Sequence, residues 1–351
     1  MNKSAVPVDG SHWLAGELEL PVSCLACGSD EFIPCHVGLE DLLGQIPGTW
    51  GFLECAECRS LQLAPRPTEE SVAKAYPPSY VTHSNVGEEA AGENGSGLVW
   101  ALVNGYLNRR FGSTRSPSSF WGSYVLPLAL PVRQQMDYFF RHLPPRPGRL
   151  LDVGCGHGAF LERAQGAGWE VEGIEPDPAA ATVATLRGLQ VSVCSIDKFT
   201  PEGKYDRITL SHVFEHLHNP SRELATLHGW LRGGGELWMA MPNPGGVGHR
   251  LFGRNWFSLD PPRHILLAPS AVIEKMLKAA GFSSIRFIRR GRGSQSSLAP
   301  SMDYRRRRLG TGSPLVAKVL SIFVDLLSSI FVSSSEEIVV LAKRKRSNER
   351  D

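Results

Sequence analysis

From Arg149 onward the chain alternates between two hydrophobic periods. Short apolar runs with polar tips, at 149–153, 169–175, 191–197, 205–211 and 236–241, are separated by stretches of helical spacing. This alternation predicts a parallel sheet covered on both faces by helices, because each parallel crossover needs an intervening element. Helices are expected from about Ala159 to Ala167, from Pro176-Asp177-Pro178 and over 269–281. Another is expected to begin at Asn219-Pro220 and end at Gly233-Gly234-Gly235. Residues 282–290 predict a sixth strand, and 336–343 a seventh that returns antiparallel. The fold class is therefore α/β, with a Rossmann-like seven-stranded sheet.

Upstream, 98–111 reads as a hydrophobic helix with Arg109 and Arg110 favourably placed at its C-terminal end. Packing against the main domain is preferred for it over a lid. A second helix over 132–143 stops at Pro144-Pro145. Thr68 and Ser71 suit the start of a short helix before Pro77-Pro78, with Tyr76 and Tyr80 flanking those prolines. Residues 86–97 have linker composition, and Trp13 and Leu14 are expected to dock an N-terminal arm. The expected division is an arm and cysteine module over 1–66, a helical lead-in over 67–131, and the main domain over 132–351. Within that domain, 242–268 is a substrate-side insertion and 289–335 a basic, amphipathic excursion.

The excursion combines Arg289-Arg290 and Arg305 to Arg308 with a stripe of Leu315, Val319, Ile322, Leu326 and Ile330. Lys318, Ser321, Asp325 and Ser328 fall on another face, which argues for an amphipathic helix and against a spanning one. Two readings stay open: peripheral membrane contact through 305–332, or packing on the domain or a second subunit. Net charge changes little, since 37 Lys+Arg stand against 35 Asp+Glu and give no global drive toward nucleic acid. The first residues lack a signal-peptide core, and four of the 7 cysteines form two C-x-x-C pairs. The expectation is a reducing, cytoplasmic setting, at the inner face of a membrane if the excursion docks there.

Two places carry chemistry. Cys24, Cys27, Cys55 and Cys58 supply four thiolates at a spacing that suits a structural tetrahedral Zn2+ ion; Cys35-His36 between them reads as packing. The stretch Leu150-Leu151-Asp152-Val153-Gly154-Cys155-Gly156-His157-Gly158 is a strand, a glycine turn and a helix start. The turn alone also satisfies a loose dinucleotide pattern. Asp152 discriminates, because its carboxylate accepts from an ammonium or hydroxyl and would repel a pyrophosphate. Glu175, at the tip of the second strand, can accept from both hydroxyls of a ribose.

The stretch 150–158 closely resembles the first motif of class I S-adenosylmethionine (SAM) dependent methyltransferases. The segment Ser211-His212-Val213-Phe214-Glu215-His216-Leu217-His218-Asn219-Pro220, followed by Leu231 to Gly235, is similar to a later motif of the same family. So is the insertion, with Trp256, Asp260, Pro261 and Arg263-His264 before a helix, and so is the four-cysteine lead-in with Pro65-Arg66-Pro67. The resemblance implies SAM as cofactor, contacted by Asp152, Gly154, Cys155, Gly156, Gly158, Glu175, Pro176, Ile196, Asp197, Ser211 and His212. It implies O- or C-methylation of a small molecule, with a sugar or a lipid-linked, isoprenoid-type intermediate as preferred acceptor. His216 is the first candidate base, with His264 and Asp260 from the insertion. The competing classes are an NAD-dependent sugar dehydrogenase or epimerase, and a non-catalytic zinc-ribbon adaptor.

Overall fold

The computed structural model describes residues 12–77 and 97–346. The first part of the expected arm, Tyr80 and nearly all of the 86–97 linker lie outside the described residues.

The N-terminal module is a small antiparallel sheet. Strands β1 (Leu18–Glu19) and β5 (Arg66–Pro67) pair with each other. Strands β2 (Phe32–Leu39), β3 (Trp50–Cys55) and β4 (Leu61–Leu63) form a meander. Trp13 docks the lead-in as expected, buried edge-on against Trp50, whereas Leu14 is exposed. Cys35 is exposed, whereas His36 packs on the insertion, its Nε2 2.9 Å from Nε2 of His249.

The main sheet contains β6 (Arg149–Val153), β7 (Glu170–Ile174), β8 (Val191–Ser192), β9 (Tyr205–Ser211), β10 (Leu231–Pro242), β12 (Phe282–Ile288) and β13 (Glu337–Arg344). Its order is β12-β13-β10-β9-β6-β7-β8, with β13 antiparallel to both neighbours. The strand order reverses beside β6, which puts the ligand crevice of such a sheet at the carboxyl ends of β6, β7 and β9. One face is covered by helices Pro220–Trp230 and Ser270–Ala279, and the other by Leu98–Phe111, Leu130–Phe139, Ala159–Gln165 and Pro178–Leu186. Burial of Leu151, Ile208, Leu210, Met239 and Val340 on a shared core explains why these strands read as continuous apolar runs.

Two strand boundaries differ from the sequence reading. The third strand ends at Ser192, and residues 196–198 form a short 3-10 turn. The fifth begins at Leu231, so Gly233 to Gly235 do not end the preceding helix; they form an irregularity in β10 between Leu231 and Glu236. Glycine tolerates that break because Gly234 has φ 84° and a Cβ at Gly235 would meet backbone oxygens at 3.0 Å.

The 242–268 insertion packs on the main core through Leu266 and Ala268 and also reaches the N-terminal module. Its strand β11 (Leu266–Leu267) pairs antiparallel with β4 and completes a four-stranded sheet with the N-terminal module. The 289–335 excursion forms two helices, Ser294–Leu309 and Pro314–Ser328. Among the described residues no helix is long and apolar enough to cross a membrane.

Candidate functional site

The glycine turn follows β6, and its three glycines serve different ends. A Cβ at Gly154 (φ 66°) would meet Val213 Cγ2 at 2.5 Å, so this position lets the segment after β9 close onto the turn. A Cβ at Gly158 (φ 83°) would meet Leu189 Cδ1 at 2.3 Å, which makes it a packing position for the following helix. At Gly156 (φ 53°) a Cβ would meet nothing within 4 Å, so this backbone faces the open side of the crevice. Its N–H donates to Glu175 Oε2 at 2.8 Å, and Asp177 N–H donates to Glu175 Oε1 at 3.0 Å. Burial raises the Glu175 pKa against those two bonds. Cys155 is buried behind the turn, and Pro176 is exposed beyond it.

Asp152 lies deeper than the sequence implied. It is fully buried, and its Oδ1 accepts from Thr209 Oγ1 at 2.8 Å and from the Arg141 guanidinium. Arg141 is aimed there by a left-handed turn, φ 44° at Arg141 and 52° at His142, whose carbonyls accept from the buried Arg207 at 2.7 and 3.2 Å. The Arg141 guanidinium also lies 3.9 Å over the Phe160 ring. Asp152 Oδ2 is buried and has no hydrogen-bond partner in the structure. Burial raises the Asp152 pKa despite Arg141. The carboxylate thus ties β6 to β9 through one oxygen and keeps the other unsatisfied, the mark of a group awaiting a donor.

Beyond β9, Ser211 is half-buried, and His212 adopts a left-handed φ of 54°. Its ring bridges two carboxylates, with Nδ1 3.2 Å from Glu215 Oε1 and Nε2 3.2 Å from Glu337 Oε1. Desolvation works against the charged ring, but the bonds to Glu215 and Glu337 hold the His212 pKa well above its usual value. Ile196 is buried in the core, which leaves Asp197 as the exposed member of that pair.

The candidate bases meet. The rings of His216 and His264 lie 4.9 Å apart, edge to face. His216 Nδ1 is 3.0 Å from the Arg263 carbonyl oxygen and must donate to it, which leaves Nε2 as the basic nitrogen. His264 Nδ1 donates to Ser258 O at 2.7 Å, which likewise frees its Nε2, 3.9 Å from Glu215 Oε1. Burial and the neighbouring His264 push the His216 pKa down to about 4, so the ring is neutral at pH 7. Glu215 is buried, with Oε2 unpartnered.

Asp260, from the insertion, does something else. Both its oxygens are held by Arg263, Oδ1 from Nη2 at 2.7 Å and Oδ2 from Nε at 3.0 Å. The same fully buried guanidinium reaches Asp41 of the N-terminal module and donates to Ala75 O at 3.2 Å. Burial would raise the Asp260 pKa, but Arg263 holds it below the usual carboxylate range. Trp256 is fully buried and donates to Ser297 Oγ at 3.1 Å and Glu336 Oε2 at 3.0 Å, which anchors the insertion. Tyr76 was not singled out as a site residue, yet its hydroxyl lies 2.8 Å from His216 Nδ1. Nothing in the local sequence pattern places it there; the long-range packing of the lead-in does.

Two sets of ligand-type atoms among the described residues each lie within 4.8 Å of one another: Cys24, Cys27, Cys55 and Cys58, and Glu215, His216 and His264. In the first, Cys24 Sγ is 3.6 Å from Cys58 Sγ, and Cys27 Sγ is 3.5 Å from Cys55 Sγ. Edges of that length suit four sulfurs at about 2.3 Å from one Zn2+. Burial raises the Cys24 and Cys27 thiols, whereas, against burial, the backbone N–H groups of Cys58 and Glu57 lower that of Cys55.

Residues 130–286 match a family described as a methyltransferase domain. The chain is 32% identical over 121 residues to a ubiquinone biosynthesis O-methyltransferase of Xanthomonas oryzae pv. oryzae (strain PXO99A), covering 32% of this chain and 50% of that one. It is 29% identical over 117 residues to the protein of that name from Nitrosococcus oceani, covering 31% and 50%. The chain thus spans about half the length of the curated relatives it matches. A solved SAM-dependent methyltransferase from Archaeoglobus fulgidus aligns at 19% identity and a TM-score of 0.42 over 62% of this chain and 94% of that one. The strand order, the glycine turn and the family match together make residues 130–286 a SAM-dependent methyltransferase domain of class I, and the chain carries a four-cysteine cluster in its N-terminal module.

Proposed function

We propose that the chain transfers a methyl group from SAM to an oxygen, or to an enolisable carbon, of a small acceptor. The observation that carries this reading is the His216–His264 pair, each with Nδ1 held by a backbone carbonyl and Nε2 left basic. The first lies on the segment that closes onto the glycine turn through Val213, and the second on a segment bonded to that one at Glu215. SAM, when bound, supplies an electrophilic methyl on a sulfonium that leaves as a neutral thioether. Gly156, Glu175 and the unsatisfied Asp152 Oδ2 fit such a ligand: an open backbone edge, an acceptor for ribose hydroxyls and an acceptor for a cationic donor. His212, Ser211, Pro176 and Asp197 would rim the same crevice.

In this reading one imidazole Nε2 takes the acceptor's proton as its oxygen lone pair forms the new bond to carbon. A neutral ring is required at that moment, and burial keeps His216 neutral. Glu215, ionised and buried beside both rings, would stabilise the imidazolium that forms. Asp260 would act through Arg263 as a positioning residue, since neither of its oxygens is spare. Zn2+ in the four-thiolate site would hold the module's fold, because no open position remains for a reactant.

A hydroxyl acceptor is supported by the names of the similar ubiquinone biosynthesis O-methyltransferases, which also favour a lipid-linked or isoprenoid-type acceptor over a sugar. Calorimetric titration with S-adenosylhomocysteine and with NAD tests the cofactor: binding of NAD alone would overturn the reading. Incubation with methyl-labelled SAM, followed by separate aqueous and lipid extraction, tests the acceptor class. Label confined to water-soluble products would exclude the lipid-linked acceptor.

A further inference from the structure

The Pro314–Ser328 helix is packed inside out. Ala317, Ser321, Val324 and Ser328 face the protein at 0–2% exposure. Leu315, Val316, Val319, Ile322, Phe323 and Leu326 face outward at 53–70% exposure. Sequence pattern allowed that this apolar stripe packs on the domain, but the structure gives that role to the small side chains. Water alone would favour the opposite rotation, so the outward face is built for a covering phase other than water.

The surroundings say which one. Leu309 and the exposed end of the Arg305 to Arg308 run precede this helix, and among the described residues Asp303 is the only carboxylate paired with that run, to Arg306 at 2.7 Å and Arg307 at 2.9 Å. Lys318 lies on the exposed face, whereas Asp325, the helix's only acid, turns inward and accepts from Ser294 N at 3.0 Å. At the helix C-terminal end, Ser329 O accepts from Gln134 Nε2 at 3.1 Å. That contact brings in the Leu130–Phe139 helix, whose preceding segment exposes Phe120, Trp121, Tyr124 and Leu128. Amphipathic aromatics beside an apolar helix and a cationic run match the boundary between headgroups and acyl chains. Pairing of this helix with its own copy would bring Lys318 no carboxylate, since Asp325 turns inward, whereas anionic headgroups neutralise both Lys318 and the arginine run.

We infer that the outward face of the Pro314–Ser328 helix docks on an anionic lipid bilayer. The inference stands apart from the methyl-transfer reading, since it rests on no residue of the crevice. The face is nonetheless joined to the insertion, because Ser297 and Ser301 of the preceding helix bond Trp256 Nε1 and Phe257 N at 3.1 and 2.8 Å.

Co-sedimentation of the full chain with phosphatidylcholine vesicles, with and without phosphatidylglycerol, tests it. Binding is expected with phosphatidylglycerol and should weaken as salt rises. Ile322→Glu with Phe323→Glu is expected to cut partitioning by more than about tenfold. Arg305→Gln with Arg308→Gln is expected to cut it about fivefold per charge. Both pairs are exposed or half-exposed, and an unchanged melting temperature and S-adenosylhomocysteine affinity identify a folded variant. A protein that stays in the supernatant with anionic vesicles overturns the inference. So does a solution dimer that I322E/F323E dissociates while vesicle binding is absent, since a second copy would then be what covers the face.

Discussion

The Tyr76 hydroxyl lies 2.8 Å from Nδ1 of His216, so the lead-in that follows the cysteine module touches the ring proposed to take the acceptor's proton. The Nδ1–H, already donating to Arg263 O, shares its hydrogen with that hydroxyl, and the pair fixes ring and tautomer together. Tyr76→Phe removes one neutral hydrogen bond, worth about 1 kcal/mol, so kcat should drop about fivefold. The pH–rate profile should shift with it, while S-adenosylhomocysteine affinity stays within about twofold. An unchanged profile would leave Tyr76 with packing alone.

Replacing the bases separates chemistry from cofactor binding. His216→Ala or His264→Ala should lower kcat by about a hundredfold or more for whichever ring is the base. Calorimetric affinity for S-adenosylhomocysteine should change little in either variant. Loss of affinity without loss of kcat would assign the ring to the cofactor.

The four-thiolate site should bind about one zinc ion per chain by elemental analysis. Cys55→Ser, or removal of metal by a chelator, should lower the melting temperature and the activity together. The reason is β11, which belongs to the module's sheet and is tied to the base segment: Ile265 N–H donates to Glu215 O at 2.7 Å. Full activity in a metal-free variant would break that link.

Arg263 is buried with two carboxylates, Asp41 and Asp260. Arg263→Met leaves two buried charges without their cation and should cost about 3–5 kcal/mol in chemical denaturation. Adding Asp41→Asn and Asp260→Asn should recover part of that loss. A variant as stable as the parent would show that the cluster contributes nothing net.

Burial depresses His36 and His216 to about 4 and His142 to about 3, and it lowers His228 and His249 as well. In the unfolded chain each protonates near pH 6.5, so from there down to about pH 4 the unfolded state holds more protons and stability falls with pH. His212 acts oppositely: its contribution is full below pH about 6.5 and is lost as pH rises through its raised folded value. Burial raises the carboxylates of Asp152, Glu175 and Glu223, which pull the other way over the same window, so the histidine effect is read as a difference. The urea midpoint of His216→Asn should fall less than that of the parent between about pH 6.5 and pH 4. Equal falls in the two proteins would contradict the buried, neutral placement of that ring.

Period and punctuation made most of the main sheet legible in sequence. The strand of Arg149–Val153, the strand of Tyr205–Ser211 and the Leu98–Phe111 helix sit where the apolar pattern put them, because each buries one continuous face. Glycine misled where it had two uses: in β10 it accommodates a sheet irregularity, and a helix stop reads the same way. That Gly156 and Glu175 come together at the strand ends was legible because chain-local geometry places them. Arg141, Thr209, Tyr76 and Asp41 were not, since their roles arise from contacts between segments distant in sequence. Side-chain direction was equally hidden: the stripe on 314–328 was readable, but not which way it turns.

Leu266 and Leu267 carry one more implication. Because they complete a sheet begun by Phe32–Leu39, the cysteine module and the 242–268 insertion, the proposed acceptor side, form a single mechanical unit. Specificity could not be transplanted onto a bare catalytic core by exchanging the insertion alone: the graft would arrive with an unpaired edge. Variation in acceptor choice among chains built this way should be inherited as a two-part cassette, with metal knuckles and insertion changing in step.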